Sequence, residues 1–271
     1  MSFRFKKIAA VGALIGAIAL AGCDQKEKDP NHIKVGVIVG AEQQVAEAAQ
    51  KVAKDKYGLD VELVTFNDYV LPNEALSKGD IDVNAFQHKP YLDQQIKDRG
   101  YKLVSVGNSF VYPIAGYSKK IKSLDELQDG AQVAIPNDPT NLGRTLLLLQ
   151  KVGLIKLKDG VGLLPTSLDI TENPKHLKIV ELEAPQLPRS LDDQQIALAV
   201  INTTYASQIG LTPAKDGIFV EDKDSPYVNL IVAREDNKDA ENVKKFVKAY
   251  QSDEVYAEAN KVFNGGAVKG W

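Results

Sequence analysis

Residues 33–57 read IKVGVIVGAEQQVAEAAQKVAKDKY, and this stretch decides the fold. Its first seven residues are almost all apolar, which predicts a buried strand. From Glu42 to Tyr57 the apolar residues recur at helical spacing, and Gly58 provides a stop signal. A buried strand followed directly by an amphipathic helix is the first half of a βαβ unit, so the stretch predicts an α/β protein with a parallel sheet.

The alternation of strand and helix continues along the chain. We predict strands at 61–66, 81–85 and 103–106 and helices at 72–78 and 90–99. The extended segment 110–117 contains Pro113, which is typical of a strand that leaves its sheet, and we place a first crossover there. A capping-box pattern, Ser123-Leu124-Asp125-Glu126, predicts a short helix.

A second α/β set follows, with strands at 132–135, 177–182 and 196–201 and helices at 141–152 and 203–209. The strand 227–233 returns the chain to the first α/β set, and helices at 239–250 and 253–262 end the chain. Two α/β lobes joined by extended crossovers predict a ligand cleft between the carboxyl ends of their sheets.

The N-terminus has the pattern of an export signal. Arg4, Lys6 and Lys7 precede an apolar run over 8–20, which is too short to span a bilayer. Leu20-Ala21-Gly22-Cys23 resembles the lipobox of bacterial lipoproteins, in which the cysteine is acylated and becomes the first residue. We therefore predict a signal peptide over 1–22, lipidation of Cys23, and a polar tether over 23–31.

Composition excludes several classes of function. Removing 22 of the 271 residues leaves 249, and the loss of three basic residues changes the formal charge from −3 to −6, which disfavours nucleic-acid binding. Cys23 is the only cysteine, so no intramolecular disulfide can form and no thiol nucleophile remains. The chain lacks a G-x-S-x-G elbow and a P-loop. We expect no cofactor.

The remaining candidates for catalysis are weak. His32, His88 and His176 share no ligand-like spacing with carboxylates, so we expect no metal site. Asp80 and Asp82 lie beside Gly79, where aspartate is common turn chemistry. A hydrolase that uses either aspartate or His88 stays open as an alternative.

Residues 84–91, NAFQHKPY, follow a predicted strand and precede a predicted helix. This position puts Phe86, His88 and Tyr91 at the carboxyl end of the strand, where a cleft would be lined. Packing in the core is the ordinary alternative for such residues.

Residues 136–144, PNDPTNLGR, join a strand to a helix, and Asn141 is a plausible N-cap. Arg144 falls in the first turn, where a positive charge is unfavourable unless an anion offsets it. Exposed N–H groups and a guanidinium that can form two parallel hydrogen bonds favour a bound carboxylate over a plain surface arginine.

Two further asparagines are candidates for ligand contact. Asn202 directly follows the apolar strand 196–201, where a strand-end turn is the alternative role. Asn229 lies inside the apolar strand 227–233, where asparagine is depleted, which favours ligand contact.

The whole chain resembles the methionine-binding lipoproteins that serve ATP-driven methionine importers, within the type II periplasmic binding proteins. The matching stretches are LAGC at 20–23, VGV at 35–37, NAFQHKPYL at 84–92, PNDPTN at 136–141, AVIN at 199–202 and SPYVN at 225–229. The resemblance implies a two-lobed receptor with lobe 1 over 32–112 and 226–271 and lobe 2 over 113–225.

The resemblance also implies a role for each site residue. Arg144 would hold the carboxylate of methionine with Asn141 nearby, and the amide oxygens of Asn202 and Asn229 would accept from the ammonium. Aromatic and imidazole rings would enclose the side chain: Tyr69, Phe86, His88 and Tyr91. The implied partners are the importer's permease and ATPase, and a monomer is expected.

The implied location is the periplasmic face of the inner membrane, since Asp24 directly follows the lipidated cysteine. Three alternatives remain at the level of sequence. They are a receptor for another small amino acid or anion, an enzyme, and a lipoprotein that scaffolds other proteins without a ligand.

Overall fold

The computed structural model describes residues 29–222 and 224–271. The predicted signal peptide, Cys23 and most of the predicted tether lie outside these residues. Within the described ranges, no helix is both long and apolar enough to cross a bilayer.

The first sheet contains the opening βαβ stretch. Its strands are β1 (His32–Ile38), β2 (Asp60–Phe66), β3 (Val83–His88), β4 (Leu103–Asn108) and β13 (Asn229–Arg234), numbered along the chain. The strand order is β2-β1-β3-β13-β4. β1 runs parallel to β2 and β3, as predicted, whereas β13 is antiparallel to β3 and β4.

Helices cover both faces of this sheet. They are α1 (Ala41–Tyr57), α2 (Leu71–Lys78), α3 (Lys89–Arg99), α8 (Glu241–Tyr250) and α9 (Asp253–Val262). On one face, Val35 of β1 shares a core with Val45 of α1 and Phe246 of α8. On the other face, Leu76 of α2 and Leu92 of α3 pack with Val232 of β13.

The second sheet has the order β10-β7-β11-β6-β12. Its strands are β6 (Ala115–Tyr117), β7 (Gln132–Pro136), β10 (Lys178–Leu182), β11 (Ile196–Ile201) and β12 (Phe219–Val220). Helix α4 (Pro139–Lys151) covers one face, where Leu146 and Leu149 pack with Val133 and Leu198.

Short elements complete the described chain. They are β5 (Phe110–Val111), β8 (Lys156–Leu157), β9 (Ile170–Glu172), β14 (Val268–Lys269), α5 (Leu187–Ser190), α6 (Thr203–Gln208) and α7 (Pro213–Asp216). The predicted short helix after Ser123 forms as a 3-10 helix over Leu124–Glu126, although the Ser123 side chain makes no capping hydrogen bond.

The chain passes from the first sheet to the second between β5 and β6, where Pro113 lies, and returns between β12 and β13. Side chains from both sheets share one apolar cluster, which includes Ile38 and Phe86 from the first and Ile201 from the second. The two sheets are therefore packed together around the carboxyl ends of their strands.

The strand predicted at 81–85 lies at 83–88 instead. Asp82 precedes it, and its carboxylate accepts a hydrogen bond from the backbone N–H of Lys34 at 3.0 Å. All six residues of β3 are buried, since the strand lies between β1 and β13. The strand tolerates Asn84 and Gln87 because these amides hydrogen-bond each other and Asn73, a third buried amide.

Candidate functional site

A cavity lies where the carboxyl ends of the two sheets meet. All eight side chains predicted to bind a ligand line it, and four others join them. The predicted residues are Tyr69, Phe86, His88, Tyr91, Asn141, Arg144, Asn202 and Asn229; the additional ones are Gln87, Tyr112, Thr203 and Thr204. The sequence therefore predicted eight of these twelve residues, and their roles toward a ligand stay predictions.

Four rings from the first sheet form one side of the cavity, which we call the aromatic wall: Tyr69, Phe86, His88 and Tyr91. Tyr69 stacks on Phe86 with ring centroids 5.8 Å apart, and Tyr91 meets Phe86 edge-on at 6.1 Å. The Tyr91 hydroxyl donates to the backbone carbonyl of Tyr69 at 2.9 Å. The contacts make the rings a preformed apolar surface.

His88 is the polar member of the aromatic wall, and its hydrogen bonds determine its tautomer. Nδ1 accepts from the backbone N–H of Tyr91 at 3.1 Å, so the proton lies on Nε2, which contacts Oδ1 of Asn141 at 3.3 Å. Burial, with a smaller effect of Arg144, lowers the pKa of His88 to about 3. His88 is therefore neutral while the sheets are packed together.

The second sheet contributes a polar wall: Asn141, Arg144 and Asn202. Asn141 was predicted to cap helix α4, and this is wrong: the N-cap is Asp138, whose carboxylate accepts from the backbone N–H of Asn141 at 3.0 Å. The reason is that α4 begins two residues earlier than predicted, at Pro139. Asn141 instead places its side chain in the cavity.

The Asn141 amide orients its neighbours. Its Nδ2 donates to Asp138 at 2.9 Å, and its Oδ1 accepts from Nδ2 of Asn202 at 2.9 Å. This leaves Oδ1 of Asn202 buried and without a hydrogen-bond partner among the described residues. An unpaired buried acceptor costs about 1–3 kcal/mol, which favours a ligand that donates to it.

Arg144 is 4% exposed and already paired within the chain. Nε donates to Oε1 of Glu221 at 2.9 Å, and Nη2 contacts Oε2 of Glu221 and donates to the carbonyl of Tyr112 at 3.0 Å. Because α4 begins at Pro139, Arg144 is its sixth residue and lies in the second turn, so the predicted first-turn position is wrong. Glu221 is the anion that pairs with this cation. The edge of the guanidinium expected to hold a ligand through two parallel bonds is occupied.

One nitrogen of Arg144 remains. Nη1 makes no hydrogen bond within residues 29–222 and 224–271. The guanidinium also lies over the ring of Tyr227, with its carbon 4.5 Å from the ring centroid. Arg144 can therefore offer the two N–H groups of Nη1 to an anion in the cavity.

Asn229 lies at the start of β13 rather than inside a strand, opposite His88 in the register. Its Nδ2 donates to the backbone carbonyl of Phe86 at 3.0 Å. Its Oδ1 makes no hydrogen bond with the described residues, so Asn229 and Asn202 both present acceptors.

Sequence reasoning did not find several residues around the site. Thr203 and Thr204 directly follow Asn202 at the end of β11, and that adjacency was a usable signal. Glu221 had none, because it lies 77 residues from Arg144 and no pattern connects the two. Glu42, in the first turn of α1, was read only as part of the helix.

The aspartates and the histidine considered for a hydrolase do not lie together. Asp80 and Asp82 precede β3, whereas His88 ends it, and the five intervals of about 3.3 Å along this strand separate its ends by roughly 17 Å. Within the described part of the chain, no group of three or more histidine, cysteine, aspartate or glutamate side chains could hold a metal ion.

Comparison with known proteins agrees with this geometry. Residues 33–271 match the model of the NlpA lipoprotein family. The D-methionine-binding lipoprotein MetQ of Salmonella typhimurium is 91% identical over 271 residues, which is 100% of both chains. These matches extend over both sheets and the cavity between them.

Solved structures share the fold. A crystal structure of the methionine-binding protein MetQ has a TM-score of 0.89 and 92% identity, covering 90% of this chain and 99% of that chain. A nutrient-binding protein from Burkholderia cenocepacia bound to methionine has a TM-score of 0.85 and 55% identity, covering 88% of this chain and 100% of that one. The expected two-lobed α/β binding-protein fold is confirmed, and the chain belongs to the NlpA lipoprotein family.

Proposed function

We propose that this protein captures free methionine in the periplasm and delivers it to an ATP-driven methionine importer. The observation that carries the proposal is the buried, unpaired Oδ1 of Asn202, which lies in a cavity bounded by an aromatic wall on one side and Arg144 on the other. This arrangement suits a ligand that has a hydrogen-bond donor, an acidic group and an apolar side chain.

The polar end of methionine would bind where the acceptors and the cation meet. Oδ1 of Asn202 and Oδ1 of Asn229 would accept from the ammonium, and Nη1 of Arg144 would donate to the carboxylate. Because Arg144 and Glu221 already neutralise each other, the site suits a zwitterion with no net charge. Asn141 would act mainly by orienting Asn202.

The thioether would lie against the aromatic wall. Contacts between sulfur and aromatic rings contribute about 0.3–1.5 kcal/mol each, which favours methionine over an aliphatic side chain of the same length. Neutral His88 closes this wall without adding a charge.

The relatives support this ligand. The Salmonella typhimurium relative is named for D-methionine, and the Burkholderia cenocepacia structure contains methionine. For this chain we propose methionine as the ligand and leave the handedness to measurement.

Calorimetry tests the proposal directly. The protein is unfolded, dialysed, refolded and titrated with each enantiomer of methionine and with the other common amino acids. We expect saturable heat with methionine and much weaker heat with the others. Absence of binding to both enantiomers would contradict the proposal, and tighter binding of another amino acid would identify a different ligand.

We also propose that the ligand leaves unchanged, so that the protein is a receptor and not an enzyme. The family is one of binding lipoproteins. Mass spectrometry of methionine after prolonged incubation with the protein should recover it intact, and a converted product would contradict this.

The remaining proposals concern location and assembly. We propose that Cys23 carries the lipid and that the protein is a monomer on the periplasmic face of the inner membrane. We also propose that two lobes close around the ligand, lobe 1 over 32–112 and 226–271 and lobe 2 over 113–225. A tether raises the effective concentration of the receptor at its importer's permease and ATPase. Radiolabelled palmitate incorporation, lost in Cys23→Ser, tests the anchor.

A further inference from the structure

Glu42 is a buried carboxyl group at the junction of the two lobes. It lies in the first turn of α1 in lobe 1 and is 1% exposed. Thr204, in α6 of lobe 2, donates to its Oε1 at 2.5 Å. Glu42 does not line the cavity, but Thr204 does, so Glu42 positions a cavity residue from the opposite lobe.

A second bond at this junction does not involve the carboxyl. Nε2 of Gln208, at the end of α6, donates to the backbone carbonyl of Val39 at 2.9 Å. Gly40 makes this approach possible, because its φ of 103° suits glycine and a Cβ there would lie 3.1 Å from Cγ of Gln208. Helix α6 is thus joined by two separate hydrogen bonds to the segment that contains the end of the preceding turn and the start of α1.

Among the described residues, no positively charged group contributes to the pKa of Glu42. The carboxyl instead helps to raise the pKa of phenols from four segments: Tyr69 before α2, Tyr112 in the crossover, Tyr205 in α6 and Tyr250 in α8. Asp138, a carboxylate of the same sign, acts on Tyr69 and Tyr205 as well. Within residues 29–222 and 224–271, Thr204 is the group that opposes the rise in the pKa of Glu42, and it is neutral.

The carboxyl is also incompletely hydrogen-bonded. Its Oε2 is buried and has no partner among the described residues. Burial raises the pKa of Glu42 from 4.5 to about 8, although the bond from Thr204 opposes this shift. An ionised carboxylate in this position would lose its hydration without a compensating charge.

Separation of the lobes changes these surroundings. Periplasmic binding proteins open and close by hinge motion, and Thr204 moves with the lobe opposite Glu42. In the open form water can reach the carboxyl, whose ordinary pKa is about 4.3. We propose, on the basis of the proposed function, that closure around methionine takes up one proton at Glu42, because only the neutral carboxyl can pack beneath Thr204.

The sign of the pH dependence follows. The closed form binds the proton more tightly than the open form, so raising the pH opposes closure. Between about pH 6.5 and pH 8, methionine affinity should fall by up to tenfold per pH unit and then level off above pH 8. His88 contributes little in this range, because it is neutral in both forms above its ordinary pKa of about 6.5.

The test is calorimetry of methionine binding at pH 7.5 in phosphate and in Tris, whose ionisation heats differ. The difference in observed heat gives the number of protons exchanged. We expect the wild-type protein to take up more than half a proton per methionine and Glu42→Gln to take up almost none. The glutamine keeps the acceptor for Thr204, so its affinity should not depend on pH above about 7.

Gln208→Ala is the matched control, since it breaks the other bond at the same junction without removing a titratable group. It should bind methionine more weakly and still take up the proton. The inference is overturned if the wild-type protein binds methionine without proton uptake, if Glu42→Gln keeps the uptake, or if Gln208→Ala binds without it. A wild-type protein that does not bind methionine would instead overturn the proposed function.

Infrared spectroscopy of the wild-type protein covers the case in which Glu42→Gln does not fold. Adding methionine at pH 7.5 should increase the C=O band of a protonated carboxyl group. Methionine binding with no change in that band would overturn the inference.

Discussion

The two walls of the cavity are built in different ways. The aromatic wall comes mainly from one strand and the helix that follows it, because Phe86, His88 and Tyr91 lie within six residues of one another. The polar wall depends on partners distant in the chain, such as Glu221 for Arg144. Local sequence can therefore identify three of the four rings of the first wall, whereas the second wall acquires its chemistry only after folding.

The largest expected effect comes from breaking the polar wall at Arg144. Arg144→Ala should weaken methionine binding by at least tenfold, about 1.4 kcal/mol, because Nη1 is lost. It should also lower the free energy of unfolding by about 3 kcal/mol, since Glu221 is 13% exposed and loses its partner. Calorimetry and urea unfolding measure the two effects.

A double variant separates these effects. Arg144→Ala with Glu221→Gln should recover much of the stability, because the stranded charge is removed, while the affinity stays low. If the double variant binds methionine as the wild-type protein does, then Arg144 acts only through Glu221 and does not contact the ligand.

The asparagine acceptors are the next target. Asn202→Ala and Asn229→Ala should each weaken methionine binding by at least tenfold, because each removes an acceptor for the ammonium. Asn237→Ala is the control: its Nδ2 donates to the carbonyl of Asp82 at 2.9 Å, at the opposite end of β3 from the cavity. Equal losses of affinity in all three variants would indicate a general structural defect instead.

The pH dependence of methionine binding tests whether His88, in the aromatic wall, is neutral in the closed form. Burial lowers the pKa of His88 to about 3 in the closed form, so protonation of His88 in the open form opposes closure. In Glu42→Gln, where the opposing proton uptake is absent, methionine should bind about tenfold more weakly at pH 5.5 than at pH 7.5. An affinity that is constant over this range would show that His88 does not change its protonation on closure.

The smallest effect is expected within the aromatic wall. Phe86→Leu keeps an apolar surface but removes one ring, so methionine should lose about 0.3–1.5 kcal/mol of binding free energy. Norleucine, which has a methylene in place of sulfur, should lose less. Competition titrations measure the ratio of the two affinities, and an unchanged ratio would show that Phe86 does not contact the thioether.

Much of the fold was predictable because its signals are local. The opening stretch, the helix stops at Gly58 and Gly100 and the break at Pro113 each act through backbone geometry or periodicity within a few residues. The strand β3 was misplaced by two to three residues. Of its two buried amides, Asn84 lies inside the predicted strand and Gln87 lies beyond the predicted end. These two amides hydrogen-bond each other and Asn73, which makes the buried strand possible, and no sequence periodicity indicates those bonds.

The same distinction applies to the site. The sequence by itself determined the α/β class, and it predicted the cleft and seven of the candidate side chains, because strand ends and helix starts can be recognised from short patterns. The family resemblance added Tyr69. Only the tertiary structure decided that Asp138 caps α4, that Glu221 occupies the bidentate edge of Arg144, and that Glu42 is buried beneath Thr204. The physical reason is that burial and pairing change the charge and hydrogen-bonding capacity of a side chain, and both depend on residues far away in the chain.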